Sequence, residues 1–137
     1  MAKEVLTNAY VMINTVDLSE YVRSVSLPLS TAEIDASCMG SDYTAVLAGL
    51  KGATLDVTWM QDFAADKVDA TLWALYDAGV VTAVKIRRDA GDIAATNPEY
   101  QFNALMNAYT PISGAVGAAH EVPSTFVSDG TITRATS

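Results

Sequence analysis

The sequence predicts a mostly β chain, an antiparallel β-sandwich or partly open barrel with one covering α-helix. Three observations lead there. Residues 53–60 alternate between apolar and polar, residues 66–78 carry a helical stripe, and turn-forming residues divide the remainder into short runs rich in β-branched and aromatic side chains. About seven strands and one helix in 137 residues fit one domain spanning 1–137.

The elements follow in order. Ala9 to Val16 reads as a first strand, closed by the polar turn Asp17-Leu18-Ser19-Glu20. Val22, Val25 and Leu27 continue an extended segment that stops at Pro28, whose missing amide hydrogen suits a strand end. Residues 29–52 show no clean period. They read as a long interaction loop, with a short extended piece at Glu33 to Ala36 and a short helical turn between Asp42 and Leu50. Irregular stretches of this length are commonly functional, which makes 29–52 the candidate contact region.

Ala53, Leu55, Val57 and Trp59 alternate with Thr54, Asp56, Thr58 and Met60, the signature of a half-buried strand. Asp66 is placed to cap a helix running to Ala78, with Asp69 in its first turn and Gly79 ending it. Val68, Leu72, Leu75 and Tyr76, joined by Trp73, form its expected core face. Val80 to Arg88 is a strand ending in the solvated pair Arg87-Arg88, and residues 91–98 form a loop. Tyr100, Phe102, Ala104 and Met106 alternate along a strand that runs to Tyr109. The chain closes on two extended segments, His120 to Ser128 and Thr131 to Ala135, joined at Asp129-Gly130 as a tight hairpin.

Sixteen acidic against eight basic residues give a net charge of −8, which argues against tight binding to nucleic acid. No apolar run reaches the roughly eighteen residues a membrane helix needs, and the first residues lack the pattern of a secretory signal; a soluble cytoplasmic chain without a membrane partner is the expectation. Cys38 has no partner for a disulfide and reads as a small, semi-buried residue. With one cysteine, one histidine (His120) and no phosphate-binding or nucleophile motif, the sequence offers no catalytic residue, and no enzyme is expected. Asp62, Asp66 and Asp69 could gather a cation, but helix capping explains them more simply, so neither metal nor cofactor is expected.

The order of several phrases resembles the major tail proteins, or tail tube proteins, of long-tailed bacteriophages, and the resemblance covers nearly the whole chain. The phrases are Asp17-Leu18-Ser19-Glu20-Tyr21-Val22, Ala48-Gly49-Leu50-Lys51-Gly52, Gln61-Asp62-Phe63, Leu72-Trp73, Asn97-Pro98-Glu99-Tyr100, Tyr109-Thr110-Pro111, Gly114-Ala115-Val116-Gly117 and Thr131-Ile132-Thr133-Arg134. The resemblance implies a structural virion protein that polymerises as stacked hexameric rings into a hollow tail tube, assembled in the host cytoplasm and resident in the virion. Genomic DNA would pass through the tube without specific binding. It also implies tape measure, tail tip and tail terminator partners, and a flexible, non-contractile tail. On this reading Glu33, Ile34, Asp35, Met39, Tyr43, Leu47 and Leu50 are the expected inter-subunit contacts. Two alternatives stay open: a capsid-decorating or other β-sandwich virion protein, and a carbohydrate-binding module using Trp59, Trp73, Tyr100 or Tyr109.

Overall fold

A computed structural model describes residues 9–40 and 42–136. Its strands are β1 (Tyr10–Ile13), β2 (Val16–Asp17), β3 (Val22–Ser26), β4 (Leu29–Asp35), β5 (Val46–Met60), β6 (Thr82–Arg87), β7 (Glu99–Tyr109) and β8 (Glu121–Ala135); the helix α1 spans Val68–Ala78. The strands form one antiparallel half-barrel sheet in the order β2-β1-β6-β7-β8-β5-β3, with β4 paired to the front of β5. The expected mostly β architecture, with one α-helix among the described residues, is what the chain adopts.

One face of the sheet is apolar and packs under α1. Val11 and Ile13 of β1, Leu55, Val57 and Trp59 of β5, Val84 of β6, Phe102 of β7 and Phe126 of β8 meet Val68, Leu72 and Leu75 of the helix in one buried cluster. Trp59 is fully buried, and its indole Nε1 donates to Ser124 Oγ at 2.7 Å, which removes the cost of enclosing a polar N–H. Gly79 ends α1 in the left-handed conformation and donates to the Leu75 carbonyl at 3.0 Å, as its position predicts.

Several local expectations are corrected. The first strand is interrupted: Asn14 and Thr15 both take positive φ and turn the chain back, so β1 and β2 form a small hairpin. Residues 29–52 are not an irregular loop. Leu29–Asp35 and the front of β5 build a two-stranded ladder, and the helical turn expected at 42–50 is instead turn followed by strand. Exposure on both faces erased the apolar alternation by which strands are recognised.

Asp66 does not cap α1. It lies at φ 61 outside the helix, Lys67 occupies the cap position without a side-chain bond, and the Asp69 amide is satisfied by the Asp62 carbonyl. Trp73 and Tyr76 face solvent, their rings tilted against each other with centres 5.5 Å apart, because the buried face of α1 is the narrower line Val68, Leu72, Leu75. Arg87 is no solvated end: it pairs with Glu99 at 3.2 Å, both side chains largely buried, and its guanidinium lies 4.0 Å from the centre of the Tyr10 ring.

Asp129-Gly130 does not close a hairpin either. β8 runs through it as one strand, and the extra residues bulge between the Gln101–Thr133 and Asn103–Asp129 pairings with β7, Gly130 taking the positive φ that the bulge requires.

Candidate functional site

β5 is the element that positions the exposed surfaces. From Thr54 to Met60 it lies between β8 and β3, whereas its front end, Val46 to Ala53, pairs with β4 alone. Among the described residues no strand covers the other edge of that front end. The result is an arm that leaves the sheet as a continuation of one of its central strands.

Every position of β4 is exposed. Glu33, Ile34 and Asp35 lie on β4, Met39 and Tyr43 in the connection to β5, and Leu47 and Leu50 on the front of β5, so the fold brings all seven expected contact residues onto the arm. Ile34 and Leu47 are cross-strand partners. Met39, Tyr43 and Leu50 are close to fully exposed, at 104%, 88% and 89%, and Leu29 and Val46 add to this unburied apolar surface. Cys38 is exposed near the arm's end, not semi-buried. A two-stranded ribbon is at best marginally stable alone in water, so a ladder this exposed gains from a covering partner.

Local contacts brace the end of the arm. Asp35 Oδ1 accepts from the Ser37 amide at 2.9 Å, and this bond holds its carboxyl below the usual range; Ser37 Oγ in turn accepts from the Ala45 amide at 2.8 Å. Gly49 belongs to the bulge in β5, opposite Ala32, where a Cβ would come within 3.1 Å of the Ala32 Cβ and carbonyl oxygen.

The sheet face opposite the core is the second exposed surface. Its rows run Thr54–Val127–Leu105, Ala83–Asn103–Asp129 and Lys85–Gln101–Thr133, with Asp56 accepting from Thr125 Oγ1 at 3.0 Å. These positions mix hydroxyls and amides (Thr54, Gln101, Asn103, Thr125, Thr133) with the apolar Ala83, Leu105 and Val127 and the charged Asp56, Lys85 and Asp129. Exposed acids elsewhere, among them Glu20, Glu33, Asp35, Asp42, Asp66 and Asp77, lie on loops, the arm and the helix. The chain's acidity is therefore not concentrated on this face.

Where the arm meets the body there is a groove of about 740 Å³, walled by Leu29, Lys51 and Gly52 on the arm side and by Tyr100, Ile132 and Arg134 on the body side. The β8 bulge forms its floor through Gly130 and Thr131. Sequence reasoning missed this groove because its walls come from four separate segments. One signal was available: residues 29–50 contain no lysine or arginine, and Lys51 ends that run.

The helix is tied to the sheet by a polar cluster. Tyr109 donates to Asp69 Oδ1 at 2.9 Å, and Gln61 Nε2 donates to the Tyr109 oxygen at 3.1 Å and the Pro111 carbonyl at 2.7 Å. Burial, aided by the Asp69 carboxylate and opposed by the Gln61 donor, pushes the Tyr109 phenol up to about 12. Burial and the neighbouring Asp62 carboxylate raise Tyr21 to about 12 as well. The Ala64 amide, with Tyr21, holds Asp62 below the usual carboxylate range.

Asp62 and Asp69 are thus engaged as structural acceptors, and among the described residues no three metal-ligating side chains converge. His120 Nε2 accepts from the Ser113 amide at 3.2 Å and pins the 111–120 loop. Neither tryptophan lines the groove, though Tyr100 does. No helix among the described residues is long and apolar enough to cross a membrane.

No protein-family model and no curated protein matches the sequence. Solved structures do. The chain is similar to a protein in the virion of a native gene transfer agent particle, with a TM-score of 0.75 and 12% identity over 93% of this chain and 95% of the other. A protein in the tail of an empty gene transfer agent particle, resolved with C6 symmetry, matches at a TM-score of 0.69 and 14% identity over 83% and 81%. A protein of the anti-feeding prophage baseplate matches at 0.56 and 12% identity over 99% and 98%. Identities this low speak for backbone architecture and not for side-chain roles, and the chain has the fold shared by these virion, tail and baseplate proteins.

Proposed function

We propose that this chain is a structural, non-enzymatic virion protein whose copies join as six-membered rings that stack into a phage tail tube, the conduit for genome delivery. The observation that carries this reading is the likeness to the gene transfer agent virion protein along almost the full length of both chains. The open edges of the sheet supply the joining chemistry. β3, β4 and the front of β5 each present backbone groups that a neighbouring copy can pair, which turns an aggregation hazard into assembly.

In the assembly the polar sheet face lines the passage. Hydroxyls and amides beside charges of both signs, Asp56, Asp129 and Lys85, hydrate well and hold a polyanion neither by attraction nor by strong repulsion, so DNA traverses without specific binding. The arm, through Glu33, Ile34, Asp35, Met39, Tyr43, Leu47 and Leu50, makes the inter-subunit contacts. The chain acts as one domain, located in the virion tail, with tape measure, tail tip and tail terminator proteins as its other partners.

Negative-stain electron microscopy of concentrated protein, after size-exclusion chromatography of the dilute protein, tests the reading. Hollow tubes or stacked rings are expected. Compact particles that never polymerise, even when seeded with tail tips, would overturn it in favour of a capsid-decorating or sugar-binding role.

A further inference from the structure

The groove at the root of the arm and the tip of the arm are complementary, and they cannot meet within one copy. From the Leu29–Ala53 pairing to the Asp35–Val46 pairing the ladder advances six residues, which places the tip roughly 20 Å from the root. Folding the tip back into its own groove would break that ladder, since the groove wall is the arm's own base.

Charge gives the pairing its direction. Residues 29–50 carry Glu33, Asp35 and Asp42 and no basic side chain, alongside exposed Ile34, Met39 and Tyr43. The groove has apolar walls in Leu29, Tyr100 and Ile132, and its two charged members are Lys51 and Arg134. Neither is engaged in an ion pair with another described residue, although the chain has eight basic residues in all and a net charge of −8. Two unpaired cations beside an apolar cleft, in a chain otherwise rich in acid, match an acidic apolar ribbon.

We propose that the arm tip of one copy docks in the root groove of a second copy, its acids facing Lys51 and Arg134 and its apolar side chains covering Tyr100 and Ile132. Donor and acceptor surfaces differ, so the contact is heterologous and propagates from copy to copy instead of closing a dimer. The inference rests on the ring-and-tube reading and names the site at which the arm is received.

The test uses the chain's single cysteine, Cys38, near the arm's end. In T131C, mild oxidation of assembled protein is expected to link Cys38 to position 131 of the next copy, giving a ladder of covalent oligomers beyond the dimer. T125C, on the polar sheet face, gives no such ladder, and C38S/T131C loses it. Separately, K51E/R134E is expected to raise the concentration needed for assembly about tenfold or more, and adding E33K/D42K to restore it, tenfold corresponding to about 1.4 kcal/mol.

If the unsubstituted protein assembles but T131C stays unlinked, or K51E/R134E assembles at the ordinary concentration, the docking site is wrong while the tube reading stands. A ladder confined to dimers would mean a reciprocal contact and would also overturn the proposal. Unsubstituted protein that never assembles sinks the tube reading, and this site with it.

Discussion

The two ends of β5 obey different rules although they belong to one strand. From Ala53 to Trp59 every second side chain is buried against the helix and the opposing strands, and the strand is held by a shared core. From Val46 to Lys51 the same strand is exposed on both faces and is held by its ladder to β4. Stability is thus invested in the body, while the arm keeps its apolar surface uncovered. Under the proposed assembly, exposure at Ile34, Tyr43 or Leu50 is a feature of an incomplete unit and not a defect of folding.

The sharpest way to break the comparison is to empty the body. Trp59→Ala removes the largest fully buried side chain and leaves Ser124 Oγ with only its bond to the Val57 carbonyl; a loss of about 3–5 kcal/mol is expected from urea unfolding. A loss below about 1 kcal/mol would show that the core is not centred on this residue.

A smaller effect is expected where the helix is tied down. Tyr109 has a folded-state pKa of about 12 against an ordinary 10.0, so the folded state favours the neutral phenol. Its contribution to stability is therefore complete below pH 10 and is lost as the pH rises from 10 towards 12. Tyr21 loses its share in the same window. Urea midpoints followed across this range should fall more steeply for the unsubstituted protein than for Tyr109→Phe, and parallel curves would place Tyr109 outside the linkage.

The smallest effect on the isolated chain belongs to the arm. Ile34→Ser with Leu47→Ser should change unfolding by less than about 0.5 kcal/mol, since both side chains are already largely exposed, and should abolish polymerisation. A large loss of stability would mean that the arm packs on its own body in solution.

The same division explains what could be read from the sequence. The rear of β5, the strand at Tyr100 to Met106 and the helix end at Gly79 were legible because a core imposes a period and a cap imposes a glycine. The arm was not, since a ribbon exposed on both faces has no preferred side for apolar residues. The seven residues proposed as contacts all fall on it, because lack of period singles out the segment and a resemblance supplies the proposed role.

Asp129-Gly130 shows a different limit. The pair supplies positive φ equally well to a two-residue turn or to a bulge, and the long pairing of β8 with β7 decided for the bulge. Trp73 and Tyr76 fit a helical stripe by spacing, but only the three aliphatic positions face the sheet. Lys51 and Arg134 are far apart in sequence, and nothing short of the folded chain brings them to one groove.

Because the arm is the forward part of a central strand and not a flap on a flexible joint, a pull on its tip runs straight into the body. The load reaches the β5–β8 and β5–β3 ladders along their length, so many hydrogen bonds resist sliding together instead of parting one after another. A filament linked through such arms would behave as a stiff chain under tension, giving way at the contacts between copies before any single copy unravels.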